Sequence, residues 1–184
     1  HQNYGKHRDD LTYKTTNLSA YLKFGALSIR EVYYAMEHHL GKKSDLIKQL
    51  VWREFYAHLL YAKPYVLGKA LKPKYNALKW NKSKKCRNAW KEGKTGFPIV
   101  DAGMREMNET GFMHNRARLI TASFLIKTLL IDWQEGEKYF ATKLSLFYCS
   151  SRTTGRFFID CYGGHGSIWM ILVQTLLYSL QYIG

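Results

Sequence analysis

The sequence predicts an all-α, multi-helix bundle, and three observations carry that expectation. Helix start and stop signals recur along the chain as far as Lys143, apolar residues between them fall at three- and four-residue intervals, and strand-type alternation is scarce. At 184 residues the chain is long enough to bury a core of its own, and no internal repeat divides it.

The elements follow in order. Ser28-Ile29-Arg30-Glu31 is a capping box, in which Glu31 can reach back to the backbone at Ser28. The helix through Val32 to Leu40 ends at Gly41, a C-terminal stop. Ser44 starts the next helix, where Ile47, Leu50, Val51, Phe55 and Leu59 repeat at helical spacing, and Pro64 marks its end. Gly96 and Pro98 open another helix through Met104; the longest is expected from Met113 to Ile131, and one more over Glu135 to Leu144. Beyond Lys143 the texture changes, for Arg152, Arg156 and Asp160 are the only charged side chains left. Ile168 to Ile183 is nearly apolar but carries Gln174, Ser179 and Gln181, too short and polar to read as a membrane span; a buried C-terminal helix is one of two readings of it, the other being the aberrant tail described below.

Lys and Arg number 28 against 14 Asp and Glu, a net charge of +14 that attracts polyanions. Nucleic acid is the first partner this implies, an anionic membrane surface the second, and simple solubility the third reading. Cys86, Cys149 and Cys161 are odd in number and widely spaced, which argues against a disulfide framework or a zinc site and for a reducing compartment. His38-His39 is adjacent, so the two rings leave a helix in different directions and suit a solvated face. The chain opens at His1 without an apolar leader or initiator Met, as a fragment of something longer would. An intracellular, monomeric protein with no metal and no membrane association is expected.

Two groups of residues carry chemistry. Met113-His114-Asn115-Arg116-Ala117-Arg118 opens a helix with two guanidiniums and an amide, a fork-shaped anion site or, as plainly, a solvated helix start. Gln49, Trp52, Arg53 and Tyr56 share one face of the preceding long helix. Trp and Tyr beside an Arg and an amide suit a surface that stacks on bases and holds phosphates, or an ordinary amphipathic boundary.

Several longer stretches resemble the flavin domain of the photolyase/cryptochrome family. They are Thr15 to Gly25 (TTNLSAYLKFG), Trp52 to Tyr56 (WREFY), Gly93 to Ala102 (GKTGFPIVDA) and Gly111 through Trp133. The resemblance runs in order from Tyr4 to Leu144, and its nearest type is the FAD-binding helical domain of a class I enzyme acting on cyclobutane pyrimidine dimers. It implies residues 1–144 as an incomplete FAD- and DNA-binding helical domain, without the family's N-terminal α/β antenna domain. FAD is the implied cofactor and UV-damaged DNA the implied partner. Tyr4, Thr15, Thr16 and Ser19 match the binders of the FAD phosphates, whose hydroxyls are suitable donors. Arg53 and Asn115 match the cavity where flavin meets lesion, and Arg118 matches the Arg paired with an acid beside the isoalloxazine. Trp52 matches the aromatic that stacks on the flipped-out dimer; Arg8, Arg116 and Leu119 match positions near the lesion-bearing DNA. Trp80 and Trp133 match the two outer members of the tryptophan chain that re-reduces the flavin; without the resemblance they would be ordinary core residues.

The sequence also departs from that family. Gln49 stands where dimer-repair enzymes carry a Glu, and Gln-x-x-Trp resembles (6-4) enzymes and animal cryptochromes. After Leu144 the expected Asp-x-Asp falls on Leu146 and Tyr148, the Asn facing the flavin on Arg152, and the innermost Trp on Arg156. Codons for Arg152, Thr153 and Thr154 followed by Gly155 can spell Asn-Asn-Gly in another frame, so 145–184 is expected to be an aberrant tail, out of frame or disordered. Three functions then stand side by side: a photolyase homologue truncated at both ends, a cryptochrome-like flavin photosensor, and a flavin-free DNA-binding remnant.

Overall fold

A computed structural model describes residues 4–13, 16–67, 69–70 and 73–144. Thr15 and all that was read into 145–184 lie outside the described residues: Leu146, Tyr148, Arg152, Arg156, Cys149, Cys161, the apolar run from Ile168 to Ile183 and the out-of-frame tail. The described residues form helices and turns and no strand, as expected. In order they are α1 (Tyr4–His7), α2 (Leu18–Lys23), α3 (Ile29–Leu40) and α4 (Asp45–Ala62), short 3-10 turns at Pro64–Leu67 and Pro73–Ala77, then α5 (Lys84–Glu92), α6 (Pro98–Thr110), α7 (Asn115–Ser123), a π-helical turn (Phe124–Thr128) and α8 (Trp133–Lys143).

The local signals act as their chemistry requires. The Arg30 N–H donates to the Ser28 hydroxyl at 3.2 Å, and the Ser28 N–H donates to Glu31 Oε2 at 3.0 Å, so the capping box is complete. Gly41 ends α3 with φ 81°, where a Cβ would be strained. Ser44 caps α4 through the Leu46 N–H at 3.3 Å. Leu46, Ile47 and Leu50 are buried, whereas Val51 is 60% and Phe55 50% exposed. Among the described residues the apolar repeat is therefore buried at Ile47 and Leu50, partly buried at Leu59 and open at Val51 and Phe55, and α3 packs against α4.

The helix opening at Met113 differs from expectation. His114 is its N-cap, and α7 runs without a break into the π turn, closed by Leu129 N–H to Phe124 O at 3.1 Å. Leu130 then takes φ 53°, which stops the helix. Among the described residues α4, not this helix, is the longest α-helix. The extra residue in the π turn rotates the face so that the adjacent Leu125 and Ile126 are both fully buried. Helix α5 has the start and stop signals Ser83 and Gly93, but its three lysines and Arg87 hide the apolar rhythm.

The core lies among α5, α6, α7, the π turn and α8. Trp90 is its centre, wholly buried, with Nε1–H donating to Thr121 O at 3.0 Å and its ring edge-on to Phe140 at 5.6 Å. Gly103 lets α6 meet α7 closely, since a Cβ there would stand 3.3 Å from Thr121 Cγ2 and 3.4 Å from Ala117 Cβ. The turn into α6 is held by Asp101. Its carboxylate accepts from the Thr95 N–H at 2.8 Å, the Thr95 hydroxyl at 2.6 Å and the Gly96 N–H at 2.9 Å. Burial acts to raise its pKa, but these bonds and the Arg105 guanidinium outweigh it and hold the carboxyl below the usual value.

Because the folded pKa of Asp101 is depressed, its contribution is present above the unfolded value of 3.8 and is lost as pH falls through the lower folded value. Asp101→Asn should lower stability by about 1–3 kcal/mol near neutral pH, with the gap from the parent chain closing in strong acid. Thermal melts of both proteins across pH check this.

Candidate functional site

The start of α7 concentrates the polar chemistry. His114, buried, accepts the Arg116 N–H through Nδ1 at 3.2 Å, so a neutral ring carries its proton on Nε2. Burial first, with help from Arg116 and Arg118, pushes its pKa down and favours that neutral form, against the opposing pull of Glu106 and Asp10. The three predicted residues of this turn end in three surroundings. Asn115 is exposed. Arg116 turns to Asp9, with Nε–H to Oδ1 at 2.8 Å and Nη2 on the same oxygen. Arg118 turns inward, only 4% exposed, and its Nη2 donates to the carbonyl of Met113 at 3.0 Å.

Arg118 is the unusual member. Its Nε has no hydrogen-bond partner among the described residues, and burial alone pulls its pKa down to about 10. Still charged at neutral pH, it demands an acceptor. Arg53 on α4 shares the trait: its Nη1 meets Glu54 at 2.5 Å while its buried Nε has no partner among the described residues.

Gln49, Trp52 and Arg53 do share one face of α4. Gln49 is exposed, Trp52 is half exposed with its ring edge-on to Phe55 at 5.6 Å, and Arg53 is partly buried. The side chain of Tyr56 lies outside the described ones.

Helix α1 links these halves. It packs on α4 so closely that a Cβ on Gly5 would collide with the Asp45 carboxylate, while Asp9 just beyond it pairs with Arg116 of α7. Tyr4 is half-buried in a cleft of about 420 Å³ that it shares with His39, Lys43, Ser44 and Asp45. Burial raises the Tyr4 hydroxyl's pKa, with Asp45 and Asp9 adding to the rise and Arg8 and Arg116 opposing it. Arg8 is exposed beside it. Thr16 lines a larger cavity of about 650 Å³ with Leu18, Leu27, Val32, Met36 and Leu46; Ser19 is half-buried on α2.

Leu119 is half-buried on α7. Trp133 is buried in the main core and Trp80 packs partly exposed against that same core. His38 and His39 are exposed and edge-on at 4.8 Å. No group of three metal-ligating side chains occurs among the described residues, and no described helix is long and apolar enough to cross a membrane.

Sequence reasoning missed two participants, Asp9 and His114. The first had no local signal, for its partner is 107 residues away; the second had one, its place immediately before a polar helix start. Replacing a buried, poorly partnered charge by an apolar side chain of similar length stabilises many proteins. Arg118→Met should therefore raise the melting temperature of the ligand-free chain, by about 1–4 kcal/mol in stability terms. Calorimetry of the two proteins without added ligand checks it.

Comparison with known proteins supplies the frame for this geometry. The family model described as the FAD binding domain of DNA photolyase matches residues 46–163, running past Leu144 into residues outside the described part. A deoxyribodipyrimidine photo-lyase of Alkalihalophilus pseudofirmus is 44% identical over 147 residues, which is 77% of this chain and 30% of that protein. The protein of the same name from Escherichia coli is 44% identical over 137 residues, 71% of this chain and 29% of its own length. The chain thus spans under a third of these curated relatives. The crystal structure of an archaeal photolyase from Sulfolobus tokodaii with two FAD molecules has a TM-score of 0.77 at 37% identity, covering 92% of this chain and 36% of that one. A class III photolyase from Agrobacterium tumefaciens scores 0.78 at 36% identity over 93% of this chain and 34% of its own. A Synechocystis cryptochrome scores 0.72 at 32% identity over 80% of this chain and 32% of its own. With more than half of its residues matched by the family model and the same helical fold in its structural neighbours, the chain belongs to the photolyase FAD-binding domain family.

Proposed function

We propose that this chain provides the FAD- and lesion-holding part of a deoxyribodipyrimidine photolyase, and that its own residues bind FAD and dimer-containing DNA. The observation that carries the proposal is the buried guanidinium of Arg118, incompletely partnered among the described residues, three positions from an exposed Asn115. Such a group suits a ligand rich in carbonyl and anionic acceptors, and FAD is one. Arg53 Nε on α4 is a second donor unmet among the described residues. Tyr4, Thr16 and Ser19, with Thr15 beside them in sequence, bring hydroxyls suited to a pyrophosphate. Held by these residues, reduced FAD would supply light-driven electron donation to the dimer, with the electron returned once the dimer has split.

The remaining roles belong to the chain. Trp52 presents an exposed ring on which an extruded base can stack, and Gln49 one turn away can donate and accept at its edge. Arg8, exposed, and Arg116, partly exposed, lie near Tyr4 and suit DNA phosphates; phosphate contact by Arg116 means displacing Asp9. Trp80 and Trp133 share one core, as two members of an electron relay would. Gln49 also favours a second reading, a flavin photosensor without repair, since an amide stands there instead of a carboxylate.

Binding to a labelled duplex with one cyclobutane dimer, set against the undamaged duplex, tests the proposal. The parent chain loaded with FAD should prefer the damaged duplex, and Trp52→Ala should weaken that binding by about 1–3 kcal/mol while leaving undamaged DNA little affected. Equal affinity for both duplexes in the parent chain would sink the repair reading. Preference without dimer splitting under blue light, even with chemically reduced FAD, would favour the photosensor.

A further inference from the structure

Between Glu54 and Glu92 the chain holds nine lysines and Arg87 and not one Asp or Glu. Lys79, Lys82, Lys84 and Lys85 of this stretch crowd into seven residues before and at the start of α5, and all four are exposed. None of them has a carboxylate partner among the described residues, whereas Arg87, just beyond them, pairs with Glu135 of α8 at 3.1 Å. Lysines in the first turn oppose the helix macrodipole, and α5 has no acid there to offset them. Their placement therefore does nothing for the helix.

The backbone beneath the four lysines is firmly held. The Asn81 N–H donates to Leu130 O at 2.7 Å and Asn81 Nδ2–H to Leu129 O at 3.2 Å; Ser83 N–H donates to Asn81 Oδ1 at 3.0 Å. The Ser83 hydroxyl caps α5 through the Cys86 N–H at 3.3 Å, and Trp80 packs against the core. These bonds also fix where the lysines stand. Leu129 and Leu130 follow the π turn, so the basic turn sits at the end of α7 opposite to Asn115 and Arg116. At 1.5 Å per residue that separation is about 20 Å, or roughly six base pairs of duplex.

We propose that Lys79–Lys85 is a second DNA contact surface, one that holds phosphates without reading sequence or damage, set apart from the lesion-facing start of α7. The inference rests on the reading of this chain as a DNA-binding protein. Nucleic acid fits better than an acidic protein partner. Protein interfaces centre on buried aromatic and Arg anchors and are poor in lysine, whereas this surface offers Lys, Asn and Ser with its one aromatic packed on the core. Mobile lysine point charges are what counterion release from a duplex requires.

The test is the salt dependence of binding to undamaged duplex DNA by the full chain carrying Lys79→Gln, Lys82→Gln, Lys84→Gln and Lys85→Gln together. The slope of log affinity against log salt should shrink by about 3 to 4, at roughly 0.9 for each phosphate no longer neutralised. Affinity for damaged and undamaged duplex should fall by the same factor, leaving their ratio unchanged. Circular dichroism confirms folding, and Lys82→Gln with Lys85→Gln alone should give about half the change in slope. An unchanged slope in both variants would overturn the proposal, as would lost retention on polyglutamate with DNA binding intact, which would assign the surface to an acidic protein. A parent chain with no preference for damaged DNA would remove the photolyase reading and still leave the slope to judge this surface.

Discussion

A charge buried at the start of α7 sets the terms for the rest of the molecule. Arg118 is nearly removed from solvent and remains protonated at neutral pH, yet among the described residues only the carbonyl of Met113 meets it. A guanidinium in that state is costly, so the surrounding structure has to be rigid enough to keep it there. Rigidity comes from the main core: Gly103 draws α6 onto α7, Trp90 ties itself to Thr121, and His114 closes the helix start from within. A ligand that completes this arginine is what the proposed function supplies.

The rest of the candidate site is assembled by a short element. Helix α1 has only four residues, but Gly5 lets it lie against the start of α4 and Asp9 anchors the following turn to Arg116. Through α1 the hydroxyl of Tyr4 and the two guanidiniums of Arg8 and Arg116 share one electrostatic neighbourhood with Asp9 and Asp45. The α4 face bearing Gln49, Trp52 and Arg53 belongs to the helix that α1 leans on. Trp52 and the neighbouring Phe55, each half exposed, leave this side of the helix open to a ligand among the described residues.

What could be read in the sequence was local. Ser28, Gly41, Ser44 and Pro64 act on backbone groups a few residues away, so their positions translate directly into helix ends. The π turn was hidden because it arises from packing Leu125 and Ile126 into one core, which no short window encodes. Periodicity marked Val51 and Phe55 as members of the apolar repeat of α4 but could not say that both would stay at least half exposed among the described residues. The GKTGFPIVDA stretch was visible as a motif, while its physical reason needed the structure: Asp101 gathers three donors from Thr95 and Gly96. At the site, residue types were legible and directions were not. Arginines are usually exposed, so the inward turn of Arg118 had no signal, and the Asp9 pairing of Arg116 spans 107 positions.

The central claim is that these residues bind FAD. Titrating FAD into the purified, folded chain and following its absorption and fluorescence tests it most directly. Saturable uptake approaching one FAD per chain, weakened strongly by Arg118→Met, is the result this account predicts. A chain that stays colourless while circular dichroism shows its helices intact would contradict it.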